Sequence, residues 1–320
     1  GCSSDLVWTS AVTFLASANC ARYCGAEVDF VDIDPQTCNM SVEDLARRLE
    51  QAERAGKLPK VVIPVHLGGQ SCDMAAIHAL SQRYGFHIVE DASHAVGGRY
   101  RGEPVGSCRY SDVVVFSFHP VKIITTAEGG MALTNHAALA RRMQLFASHG
   151  MTRDVGEMTH ASDGPWYYQQ IELGYNYRLT ELQAALGLSQ MLRLDEFVAR
   201  RHAIARRYDE LLVPLPVTPV VQNTDCYSGL HLYVIRLQLE RLRRSHREVF
   251  ELLRAAGIGV NLHYIPVYLQ PYYQRLGFRA GHCPNAEDYY RRAISLPMYA
   301  QLDATKQDAV VAALLQATLE

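Results

Sequence analysis

The chain has 320 residues, enough for one large domain and a smaller one with a substantial core. Apolar residues make up 48% and charged residues 20%, as in an ordinary globular protein. With 31 basic against 33 acidic residues the net charge is −2, which gives no electrostatic reason to expect nucleic acid or an anionic membrane as a partner.

The first segment, TSAVTFLASANCARYCGA (9–26), places Cys20 and Cys24 four apart on a predicted helix, a spacing of packing rather than metal ligation. Short β-rich runs then alternate with helical patterns: EVDFVDID (27–34), KVVIPVHLG (60–68), HIVEDA (87–92), DVVVFSFH (112–119) and GGMALTN (129–135). Several are nearly continuous in Val, Ile and Phe, the pattern of strands buried on both faces. Between them, SVEDLARRLEQAERAG (41–56) opens on Ser41 with Glu43 and Asp44 and stops at Gly56, and MAAIHALSQRYG (74–85) repeats the plan. This alternation predicts an α/β architecture with a mostly parallel, helix-covered sheet. From 179 to 212 apolar residues recur at helical spacing, which predicts one long connecting helix, bent near Gly187. Beyond Pro214 and Pro216, a strand at 231–239, a helix at 245–257, a second strand at 260–265 and a terminal helix at 304–318 predict a small α+β domain. The division expected is 1–190 for the large domain and 191–320 for the connecting helix and small domain. No apolar run reaches the roughly 18 residues of a spanning helix, and no secretion signal is seen. The eight cysteines (Cys2, Cys20, Cys24, Cys38, Cys72, Cys108, Cys226, Cys283) form no CxxC pair and no zinc spacing, and read as free thiols in a reducing cytoplasm.

Two polar clusters fall at predicted strand ends: Asp91 after HIVE, and Ser117, His119 and Lys122 after DVVVF. In open α/β sheets ligands bind outside the carboxyl ends of strands, so the clusters share a potential crevice. Alone, Asp91 reads equally as a helix cap and Lys122 as a solvated amine. Together they match a lysine that forms a Schiff base with an aldehyde cofactor and a carboxylate that pairs with a protonated pyridine nitrogen. A plain nucleotide-binding module is weakened, because no GxGxxG or GxxxxGK[ST] follows a predicted strand.

The run VEDASHAVGGRYRGEPVGS…SDVVVFSFHPVKIITTAEGGMALTN (89–135) resembles the DegT/DnrJ/EryC1/StrS family of sugar aminotransferases, through its ED-A-x-H, SF-x-x-x-K and T-x-EGG elements. The resemblance extends over essentially the whole chain and implies the fold type I (aspartate aminotransferase-like) fold with pyridoxal 5′-phosphate (PLP) as cofactor. It implies that Lys122 holds the cofactor, Asp91 faces the pyridine nitrogen, His94 lies near its O3′, Ser117 binds its phosphate and Phe14 stacks on its ring. Asn176, in LGYNYRLTELQAALG, is implied to reach the phosphate of the neighbouring subunit in a homodimer with shared sites. The related sugar dehydratases carry histidine where this chain has Lys122, which favours transamination; loss of Lys122 or Asp91 would have favoured a non-catalytic regulatory member. The segments VNLHYIPVYLQPYY and CPNAEDYYRRAISLPMY look like the pseudaminic acid branch, implying an L-glutamate donor and a UDP-linked 4-keto-6-deoxy-N-acetylhexosamine acceptor, with His263 and Tyr264 as substrate-pocket candidates. Another sugar nucleotide is the alternative. The family also has a further β-α segment ahead of the position of Gly1, with a small-residue turn that holds the phosphate at a helix N-terminus. On that reading the chain is N-terminally incomplete and binds PLP poorly by itself.

Overall fold

The computed structural model describes residues 5–319; Cys2 lies outside the described residues. Six strands form the main sheet in the order 27–31, 6–10, 61–63, 87–91, 113–117 and 130–133. The first five are parallel and the last is antiparallel, pairing Ser117 with Gly130. Asp91 is opposite Val115 in adjacent strands, so Asp91 and Ser117 emerge at the same edge of the sheet. The strand Leu6–Ser10 was not among the expected runs; it ends in Thr9 and Ser10, whose buried polar side chains interrupt the apolar signal.

Local chemistry accounts for the helix limits. Ser41 caps Val42–Arg54 by accepting from Asp44 N–H, and Asp73 caps Met74–Tyr84 by accepting from Ala76 N–H. Gly85 closes the latter helix at φ +77°, a conformation that disfavours a side chain.

The expected single helix over 179–212 is two helices, Glu181–Met191 and Leu194–Leu211, broken at Leu192–Arg193 rather than bent at Gly187. Gly187 serves close packing instead: a Cβ there would lie 2.7 Å from Thr126 Cγ2. The second correction concerns the expected strand at 260–265. Only Asn261 makes a β-bridge there, to Ser295. The antiparallel three-stranded sheet is built from Val217–Pro219, Tyr233–Leu237 and Ala293–Leu296. Ala293–Leu296 follows helix Pro284–Arg292 without an intervening turn, so no Gly or Pro announces it. Helices His246–Ala255, opened by a Ser245–Glu248 capping box, and Ala304–Leu319 pack on this sheet through Val249, Leu253, Val310 and Leu314.

The carboxyl-terminal part is joined to the main sheet by shared core. Phe30 of the main sheet packs against Tyr268, Tyr273 and Phe278. Buried Asp32 accepts from Asn285 N–H and Ala286 N–H at the start of helix Pro284–Arg292, placing a carboxylate at its positive end. Among the described residues no helix is long and apolar enough to cross a membrane.

Candidate active site

At the carboxyl ends of the parallel strands lies a cavity of about 600 Å³, lined by Phe14, Asp91, His94, Ser117, Lys122, His263 and Tyr264 among others. Seven of the eight residues given a site role from the sequence therefore meet in one place, with His119 beside them. Asn176 does not: it is exposed, and its backbone bridges Ser148 away from the cavity.

Asp91 ends its strand with a fixed carboxylate. Its Oδ1 accepts from Ser93 N–H at 3.1 Å and its Oδ2 from Ser17 Oγ–H at 2.6 Å. Because Ser17 donates to Asp91, the 2.7 Å contact between Ser17 and Thr13 hydroxyls has Thr13 as donor. Both hydroxyls are buried, so this relay is shielded from water. Sequence reading missed Ser17 and Thr13; their only signal is the i, i+4 spacing at the start of helix Ala16–Tyr23. Glu90, one residue before Asp91, pairs with buried His66 at 2.7 Å, as alternation along a strand requires.

Lys122 lies in the loop after strand 113–117, between exposed Val121 and buried Ile123 and Ile124. The loop is held by Thr126 N–H to Phe118 C=O and by Thr125 N–H to the Gln190 side chain. Burial pushes the Lys122 amine below the ordinary lysine range, partly opposed by the negative charge of Asp91. A lysine so placed has more of its neutral, nucleophilic form.

His94 accepts from Gly68 N–H through Nδ1 at 3.3 Å, so Nε2 carries the ring proton and donates to Tyr264 Oη at 3.1 Å. The Tyr264 hydroxyl hydrogen is then free for another acceptor. Burial, then His231, Lys122 and His263, hold the His94 imidazole well below the usual range, so it is neutral. His263, hydrogen-bonded to Ser295 Oγ at 2.8 Å, is lowered to about 4 by burial and by Lys122. Phe14 is 59% exposed, its ring 6.0 Å from that of Tyr264, so one face is open for a second ring to cover. Ser117 closes the floor, its hydroxyl accepting from His119 N–H at 3.4 Å.

A single lysine, a carboxylate with both oxygens oriented, an open aromatic face and a strand-end hydroxyl fit a phosphorylated pyridine aldehyde. The fold is that of a PLP-dependent aminotransferase. The sequence profile of the DegT/DnrJ/EryC1/StrS aminotransferase family matches residues 2–315, and the chain belongs to that family. Spore coat polysaccharide biosynthesis protein SpsC of Bacillus subtilis is 38% identical over 313 residues, covering 97% of this chain and 78% of SpsC. Helicobacter pylori PseC, an aminotransferase of pseudaminic acid biosynthesis, superposes with a TM-score of 0.89 at 29% identity, covering 98% of this chain and 80% of PseC. The putative sugar aminotransferase Spr1654 of Streptococcus pneumoniae superposes in its PMP-form with a TM-score of 0.85 at 29% identity, over 98% of this chain and 82% of its own; it is also solved in a PLP-form. The protein is a PLP-dependent sugar aminotransferase that takes an amino donor and a keto sugar nucleotide.

Proposed function

We propose that the chain transfers the amino group of L-glutamate to C4 of a UDP-4-keto-6-deoxy-N-acetylhexosamine, the transamination of pseudaminic acid synthesis. The observation that carries the reading is the meeting of Lys122 and Asp91 in one cavity, with the likeness to PseC over 98% of the chain in support. Bound PLP supplies a carbonyl carbon that takes up the donor's amino group and a ring that withdraws electrons from the substrate carbon.

The chain's own residues do the rest. Lys122 Nζ would hold the cofactor and would move a proton at the substrate carbon. The Asp91 carboxylate, held by Ser17 and Ser93, keeps a proton on the pyridine nitrogen. Phe14 would cover one ring face, His94 would stand by O3′, Ser117 would bind the phosphate, and His263 and Tyr264 would border the acceptor. Asn176 completes the phosphate site of the partner in a symmetric homodimer, a role consistent with its exposure. We place the boundary between the domains at 190/191 and the protein in the cytoplasm, in keeping with its seven free described thiols.

A second reading, favoured by the 38% identity to SpsC, is the same reaction on a different sugar nucleotide for a polysaccharide. Incubation with glutamate and a panel of 4-keto sugar nucleotides separates the two. Mass spectrometry should show a UDP-4-amino sugar carrying nitrogen from labelled glutamate; turnover of a dTDP sugar alone would establish the second reading.

A further inference from the structure

A second cavity, of about 760 Å³, adjoins the one around Lys122 and shares Val121, Asn261 and His263 with it. His231 lines it, facing apolar walls that include Leu296 and Met298; its lysine, Lys306, is tied to Asp303 at 3.1 Å.

His231 is only 7% exposed, yet among the described residues its Nδ1 has no hydrogen-bond partner. Nδ1 is sealed and unpartnered, and among the described residues no hydrogen bond involves Nε2, which leaves Nε2 as the nitrogen able to meet a ligand in the cavity. Buried polar groups are nearly always satisfied, so a free imidazole in a cavity wall calls for a reason.

Looseness is not the reason, because its surroundings are rigid. Buried Arg201 donates to the carbonyl oxygens of Leu230 at 3.0 Å, His231 at 3.3 Å and Met298 at 3.0 Å. The preceding turn packs so closely that a Cβ on Gly69 would lie 2.6 Å from Leu230 N. The His231 ring lies 4.5 Å, centroid to centroid, from that of His94, which borders Lys122. Burial, then the positive charges of Lys122 and Arg201 and the nearby His263, hold the His231 imidazole well below its usual range. A neutral imidazole nitrogen suits a hydroxyl or amide group; a carboxylate or phosphate would instead seek a cation.

We propose that His231 is an acceptor-recognition residue, hydrogen-bonding an uncharged hydroxyl or acylamino substituent of the keto sugar, and that this second cavity receives that side of the sugar ring. The inference rests on the sugar aminotransferase reading above.

The test separates the two half-reactions in His231→Phe, which keeps a ring but no hydrogen bond, and His231→Gln, which restores one. The glutamate half-reaction is followed by the absorbance of the enzyme-bound cofactor, and the aminated protein is then mixed with UDP-4-keto-6-deoxy-N-acetylhexosamine. The phenylalanine variant should lose about tenfold more kcat/KM in the sugar half-reaction than in the glutamate one, mainly through KM, as expected for one neutral hydrogen bond. Glutamine should recover most of that loss, and the rise in Tm caused by the sugar nucleotide should shrink in the phenylalanine variant alone. Equal losses in both half-reactions, no loss, or no recovery by glutamine would overturn the proposal. Wild-type protein that reacts with glutamate but not with this sugar would instead refute the acceptor reading, and the proposal with it.

Discussion

Lys122 is flanked by two buried isoleucines that hold its loop, and its amine reaches a cavity where burial favours the neutral form. Lys122→Ala should therefore abolish covalent capture of PLP by borohydride, read by mass spectrometry of peptides; capture at another lysine would remove its role. Ser17 donates to Asp91 from a buried position, and a hydrogen bond to a charged group contributes roughly 1.5–3 kcal/mol. We expect Ser17→Ala to weaken PLP binding about tenfold in a titration of the apoprotein followed by absorbance, with Ser17→Thr restoring much of it. The imidazoles add a pH dependence. His263 takes a proton at about 4 when folded, against 6.5 ordinarily, so between these values the unfolded chain binds more protons. Stability is therefore full above pH 6.5, falls as the pH drops toward 4, and levels off below it. This site alone accounts for on the order of 2 kcal/mol, allowing for partial exposure. Tm measured across that range should decline, and His263→Gln should flatten part of the decline.

Among the elements, Gly187 shows why helix periodicity misplaced a bend. In an exposed helix, Gly→Ala stabilises by about 1 kcal/mol. Here the new Cβ would press on Thr126 Cγ2 at 2.7 Å, and overpacking costs about 1–3 kcal/mol. Gly187→Ala should lower stability by roughly 1 kcal/mol in urea unfolding, the reverse of the propensity effect. Thr126 lies in the Lys122 loop, so this helix supports the site as well as connecting the two parts. Helices with local stop and start chemistry, such as 42–54 and 246–255, were legible from their caps. The strand Ala293–Leu296 was not, because four fully buried residues joined directly to a helix have no alternation and no turn to mark them.

At the scale of the whole molecule, the segment after helix Ala137–Ala147 leaves large apolar side chains uncovered, among them Leu182 at 86% and Leu192 at 87% exposure, with Tyr175 and Tyr177 stacked in the open beside Asn176. Such a patch on a monomer marks an interaction surface. The two-fold dimer proposed above would use this surface and bring Asn176 to the partner's phosphate site. Mixing Asn176→Ala with Lys122→Ala chains should then restore activity above either variant alone, because one hybrid site is wholly wild type. Full activity in a monomer by light scattering would exclude the shared site.

The α/β alternation and the gathering of Lys122, Asp91 and Ser117 at strand ends were legible in the sequence, because strand-end motifs are local, a few adjacent residues fixing where the side chains emerge; the cofactor and the place of His94 came through the family resemblance. The Ser17–Asp91 step of the hydroxyl relay spans 74 positions, and the tilted contact of His94 with His231 joins distant segments. No spacing rule reaches across such distances. Which buried polar groups find partners, and that His231 finds none, is decided only when the sheet and the carboxyl-terminal segment close on each other.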